Sequence, residues 1–181
     1  MPRNSAYFFL LSPAFFSCAR SHGSGSITFY DGATLLGTVP VMAGVATLPA
    51  TNQLTVSTHV ITATYSGSTN QQASNSNPYN LIVHPAVTTV TLTSSRNPAP
   101  TGAAITFTAT VKPVAPGTGA PTGTVSFYDG TTLLATVDLT TGKAVFATAT
   151  LTTGSHQITA VFSATSNYNA STSAALAQVV S

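Results

Sequence analysis

The sequence predicts an all-β protein made of two tandem β-sandwiches, the first lacking its first strand or two. Three observations carry that prediction. Of 181 residues, 33 are Thr, 13 are Gly and 11 are Pro. β-branched Thr suits a pleated, half-exposed strand, and Gly and Pro punctuate short segments. The chain also repeats itself. Residues 25–39, GSITFYDGATLLGTV, match residues 123–137, GTVSFYDGTTLLATV, at ten of fifteen positions with an offset of 98. HVITATY, starting at His59, answers HQITAVF, starting at His156, with an offset of 97. A period of this length is that of one sandwich domain. The third observation is the alternation of apolar and polar residues every second position, the mark of a strand with one buried face.

The second copy, residues 86–181, shows the elements in order. Val87, Val90 and Leu92 sit among threonines, and Arg96, Asn97 and Pro98 break that strand. Ile105, Phe107, Ala109 and Val111 then alternate with Thr. After a Pro/Gly loop at 113–122, Val125 and Phe127 share a face and run into Asp129-Gly130, a dipeptide that turns a hairpin because it tolerates positive φ. Residues 133–139 return. Thr141-Gly142 turns again, and Ala144 with Phe146 marks the next inward face. Thr153-Gly154 turns once more before Ile158, Ala160 and Phe162. A polar loop at 165–172 precedes a last strand at 174–180. About seven strands separated by turn signals argue for an immunoglobulin-like sandwich.

The first copy, residues 25–85, starts at the third strand. At the same offset its second strand falls on residues 7–13, which are apolar but do not alternate with Thr, and its first strand precedes Met1. A sheet edge around residues 44–48 is therefore expected to stand bare, which invites pairing with another chain. Residues 25–85 alone are expected to be marginally stable, and residues 86–181 to fold alone. Residues 1–24 admit two readings. One is a secretory leader, with Arg3, an apolar run at 6–16 and small residues at 17–19. The other is the vestige of a longer repeat protein cut at this point. The run falls short of the roughly 20 apolar residues that span a bilayer.

Read together, TVTLTSS from Thr89, Asn97-Pro98, ITFTATV from Ile105, PTGTVSFYDG from Pro121, GSHQITA from Gly154 and SNY from Ser166 resemble the bacterial Ig-like domain repeat family. The resemblance covers residues 86–181 fully and 25–83 in part. It implies modules strung in tandem in large bacterial surface or secreted proteins, so neighbouring repeats of a longer parent are the implied partners.

The composition excludes several functions. Five Lys or Arg among 181 residues cannot make the basic patch that nucleic acid requires. Three Asp and no Glu cannot furnish several Ca²⁺ sites. One Cys forms no internal disulfide. No Gly-x-Ser-x-Gly elbow and no phosphate-cradling loop before a helix occur. No catalytic, cofactor-binding or metal-binding residues are assigned, and the chain is not expected to be an enzyme. His59 and His156 share parity with Ile61 and Ile158 and are expected at the rim of each core. Asp31 and Asp129 are read as turn residues bonding their own backbone. Tyr30 and Tyr128 lie on the parity opposite Phe29 and Phe127, and are the one residue-level hint of ligand contact, by stacking on a sugar ring; the plainer reading is cross-strand packing. The expectation is a structural spacer module, secreted or on a bacterial cell surface. The alternatives are an adhesive module for surface glycan or protein, and an appendage of a larger secreted enzyme.

Overall fold

A computed structural model of the chain describes residues 8–12, 15–19, 24–49 and 54–181. The chain divides into two units, Met1–His84 and Pro85–Ser181. Unit 1 holds β1 (Phe8–Ser12), β2 (Phe15–Ala19), β3 (Ser26–Asp31), β4 (Thr34–Pro40), β5 (Val45–Leu48), β6 (Thr58–Tyr65), β7 (Ser74–Asn75) and β8 (Tyr79–Ile82). Unit 2 holds β9 (Thr88–Ser94), β10 (Ile105–Pro113), β11 (Thr124–Asp129), β12 (Thr132–Asp138), β13 (Lys143–Thr148), β14 (Gly154–Phe162), β15 (Ser171–Thr172) and β16 (Leu176–Val180). Among the described residues all regular structure is strand, and no helix is long and apolar enough to cross a membrane.

In unit 2 a three-stranded sheet, β13-β10-β9, faces a five-stranded sheet, β12-β11-β14-β15, with β16 also paired to β14. Every pairing within these sheets is antiparallel. The alternation that marks the strands becomes the inside of the sandwich. Ile105, Phe107, Ala109 and Val111 point inward from β10, Val125 and Phe127 from β11, and Ile158, Ala160 and Phe162 from β14. Phe146 of β13 packs against this cluster, its ring 6.4 Å from that of Phe107 and 5.6 Å from that of Phe127. The last strand is split. Between β15 and β16 the Ser173 hydroxyl accepts from the Ala160 amide at 3.0 Å, and unit 1 repeats the device with Ser76 and Ala63 at 2.9 Å.

Unit 1 runs through the same scheme, with β1-β2-β5 as one sheet and β4-β3-β6-β7 plus β8 as the other. Its core gathers Ile27, Phe29, Ala46, Leu48, Ala63 and Tyr65. Here the structure corrects the expectation of a missing strand or two and a bare edge at 44–48. Phe8–Ser12 and Phe15–Ala19 occupy the positions of β9 and β10, and β2 pairs β5 from Phe16↔Leu48 to Ala19↔Val45 as β10 pairs β13. Both are shorter, five residues each against seven and nine. Of the leader reading, Arg3 lies outside the described residues, while the apolar run at 6–16 falls in part on β1 and β2 and the small residues at 17–19 fall on β2.

Two hairpin turns recur. Gly32 and Gly130 both sit at φ 55° as the first of two residues closing β3–β4 and β11–β12, where a type II′ turn needs glycine. Ala43-Gly44 and Thr141-Gly142 have positive φ at both positions, as a type I′ turn needs. A β-branched residue is strained there, and Thr141 has φ 50°. Thr141→Asn is expected to raise the stability of unit 2 by about 1 kcal/mol, seen as a higher melting temperature for that unit with the other unmoved.

Candidate functional site

Among the described residues, the fold brings one histidine and one aspartate together in each unit. Asp31 ends β3 and pairs with Ile61 on β6, which places His59, two residues earlier on the same inward parity, beside its carboxylate. The Nδ1–H of His59 donates to Asp31 Oδ2 at 2.7 Å, and Nε2–H donates to the Thr55 carbonyl at 2.8 Å. Unit 2 repeats this with His156, Asp129 and Thr152, at 2.6 and 2.8 Å. The histidines are 9% and 11% exposed, and the aspartates 24% and 27%. Asp129 also accepts from the Gln157 amide at 3.1 Å. That corrects the expectation that its carboxylate bonds its own turn: it bonds the neighbouring strand instead, because the two-residue turn brings β11 to its end opposite β14.

Both ring nitrogens of each histidine face oxygen acceptors, an arrangement that favours the imidazolium, in which both nitrogens carry a hydrogen. The backbone carbonyl of Thr55 or Thr152 is the larger cause, and the carboxylate bond the next. Together they raise the histidine above its ordinary value of 6.5, against burial, which works the other way. A histidine whose folded value is raised contributes stability that is fully present below the unfolded value and is lost as pH rises through the folded one. Stability is therefore expected to decline from pH 6.5 upward until both rings have lost their protons. Denaturant melts across that range check it. Asp129→Asn should flatten the decline in unit 2 alone.

Unit 1 adds a serine. Ser57 Oγ lies 3.0 Å from His59 Nε2, so Ser57, His59 and Asp31 stand in the order of a hydrolytic triad. With the ring protonated, the arrangement does not activate the serine. A general base must accept the hydroxyl proton at Nε2, and here Nε2 keeps its hydrogen pointed at the Thr55 carbonyl. Unit 2 has Gly154 in place of Ser57 and retains the rest. What recurs holds a proton and ties a loop to a hairpin.

Tyr30 and Tyr128 are half-buried on the outer faces of β3 and β11. Each stands opposite a leucine across a register shift, Leu35 and Leu133, and a threonine on the other side, Thr62 and Thr159. The leucines are 57% and 54% exposed. His84 is exposed and His22 lies outside the described residues. Among the described residues no three His, Cys, Asp or Glu converge as for a metal ion.

Taken one at a time in the sequence, the histidines and aspartates show no sign of the couple. The signal was recurrence. Of three acidic residues, the two with a counterpart in the other copy face the two histidines with a counterpart, while Asp138 has Pro40 as its counterpart.

Several solved structures align with most of the chain at low identity and low TM-score. Fibronectin(III)-like modules of Clostridium thermocellum CbhA align over 88% of this chain and 83% of theirs, at 14% identity and TM-score 0.38. A chimeric titin Z1Z2-Z1Z2 tandem aligns over 92% and 90%, at 13% identity and TM-score 0.34. The ectodomain of mouse nectin-like molecule 4 aligns over 98% and 62%, at 13% identity and TM-score 0.38. No curated protein matches the chain. The model of the bacterial Ig-like domain (group 3) matches twice, over residues 15–84 and 92–181. With both units matched in turn, the chain belongs to the bacterial Ig-like domain family.

Proposed function

We propose that the chain is a non-enzymatic spacer, two structural repeats of a longer bacterial protein that is secreted or displayed on the cell surface. The observation that supports this best is the duplication itself. Each unit closes its own core and spends its one histidine–aspartate couple on bracing its own loop. With five Lys or Arg and three Asp in the chain, long-range steering of a charged partner is weak. Solubility rests on Ser, Thr and Asn bonding to water. The implied partners are the neighbouring repeats.

A load-bearing spacer unfolds module by module. Pulled from its ends, the full chain is expected to give two force peaks, each releasing roughly 25–30 nm of chain. Smooth extension without peaks would overturn the spacer reading. A second reading is favoured by one observation, the half-buried tyrosine beside an exposed leucine on the same outer face of both units. Such a surface suits a sugar ring or an apolar protein patch. A glycan array probed with the full chain and with Tyr128→Ala separates the two. The spacer gives no signal above background, whereas binding lost in the variant would establish adhesion.

A further inference from the structure

The chain leaves unit 1 from the end of β8, beside the loop that His59 holds. The Val83 amide, the last before His84-Pro85, donates to the Ser57 carbonyl at 2.9 Å. Ser57 Oγ and the Thr55 carbonyl both contact His59 Nε2, at 3.0 and 2.8 Å. The imidazolium thus grips a three-residue segment at both ends, and that segment grips the end of β8. The exit of unit 2 is braced further. Fully buried Gln178 of β16 accepts from Ser94 Oγ at 2.7 Å and donates to the Arg96 carbonyl at 2.9 Å. Asn97 donates to the Ala177 carbonyl and accepts from the Val179 amide. Ala99 exchanges bonds with Val179 and Ser181. At the Gln178 position unit 1 has Leu81, whose side chain makes no hydrogen bond.

We propose that His59 is a proton-operated latch on the C-terminal end of the first repeat: protonated, it keeps residues 55–57 and the end of β8 docked, and on losing its Nε2 proton to solvent it loosens them. Neutral Nε2 presents a lone pair to the Thr55 carbonyl, so that end of the segment is repelled and only the Ser57 hydroxyl, turned to donate, still reaches the ring. Asp31, from the β3–β4 hairpin, is the charged group that faces the ring. β4, β5 and β7 carry no titratable residue. β8 carries Tyr79, which pairs with Ile61, and exposed His84 follows Val83. The raised proton affinity of His59 places release above pH 6.5, so the end of β8 is held in acid and loosens as the medium turns alkaline. The latch stands on this geometry whether the chain is a spacer or an adhesin.

The test is NMR on the full chain from about pH 5 to about pH 9, the range in which imidazole charge changes. The His59 ring shift is followed beside the exchange protection of the Val83 and Val180 amides, corrected for the intrinsic pH dependence of exchange. Val83 protection is expected to fall roughly three- to tenfold, what loss of one net hydrogen bond amounts to, with the midpoint of the His59 titration. Val180 should stay level. Asp31→Asn should move the His59 and Val83 midpoints together to lower pH. Val83 protection that ignores the His59 midpoint, or that falls no more than Val180, overturns the latch. Should the variant fail to fold, the wild-type titration decides alone.

Discussion

Phe127→Ala is expected to destabilise unit 2 by about 3–5 kcal/mol, the usual cost of emptying a buried aromatic site. The reasons are local. Phe127 has no exposure, and β11 is paired on both sides, to β12 and β14, so the backbone cannot close on the void. Its ring lies 5.6 Å from that of Phe146 at an interplanar angle of 37°, and Phe146 bridges it to Phe107 on the facing sheet. Removing it leaves that stack open on one side. For a domain of this size the loss lowers the melting temperature on the order of 20 °C. Unit 1 has its own core, so its transition should not move. Two transitions, one shifted and one fixed, are the expected result of a calorimetric scan. A single transition that shifts as a whole, or a change below about 1 kcal/mol, would contradict cores that are separate and packed as described.

Much of this architecture was legible because period-two alternation is a local property. ITFTATV from Ile105 needs no partner to show which side faces in, and β10 buries Ile105, Phe107, Ala109 and Val111 while Thr106, Thr108 and Thr110 face out. β2 shows the limit of that reading. FFSCA does not alternate with Thr, and six residues separate β2 from β3 where ten separate β10 from β11. A comparison at fixed offset therefore fell on residues 7–13, the wrong segment, and the true strand was set by the open edge of β5. The histidine–aspartate couples failed for a related reason. Asp129 and His156 are 27 residues apart, and only strand pairing brings them to 2.6 Å. In the sequence, Gln178 is one more polar residue of a last strand. Its burial depends on Ser94 and Arg96, some eighty residues away in the chain. Local pattern announces strands; which strands meet, and what polar chemistry the meeting creates, is a property of the fold.

Deleting residues 1–23 should abolish the cooperative transition of unit 1 and leave that of unit 2 in place. The first-copy core is a sandwich only while both sheets exist. β5 contributes buried Ala46 and Leu48, and its sheet partner is β2, which is in turn paired to β1. The deletion removes four register pairs at β2–β5 and five at β1–β2. At about 0.5–1.5 kcal/mol net per hydrogen bond, that loss is of the order of a small domain's whole stability, about 5–15 kcal/mol. Ile27, Phe29 and Ala63 on the other sheet are then left opposite β5 alone. β5 becomes an unpaired edge, and such edges recruit strands from other chains, so light scattering should rise as the shortened protein is concentrated. Residues 85–181 measured alone supply the reference transition for unit 2. A shortened chain that still shows a second, concentration-independent transition at the original temperature would mean that β1 and β2 are dispensable, and that the first repeat closes its core without them.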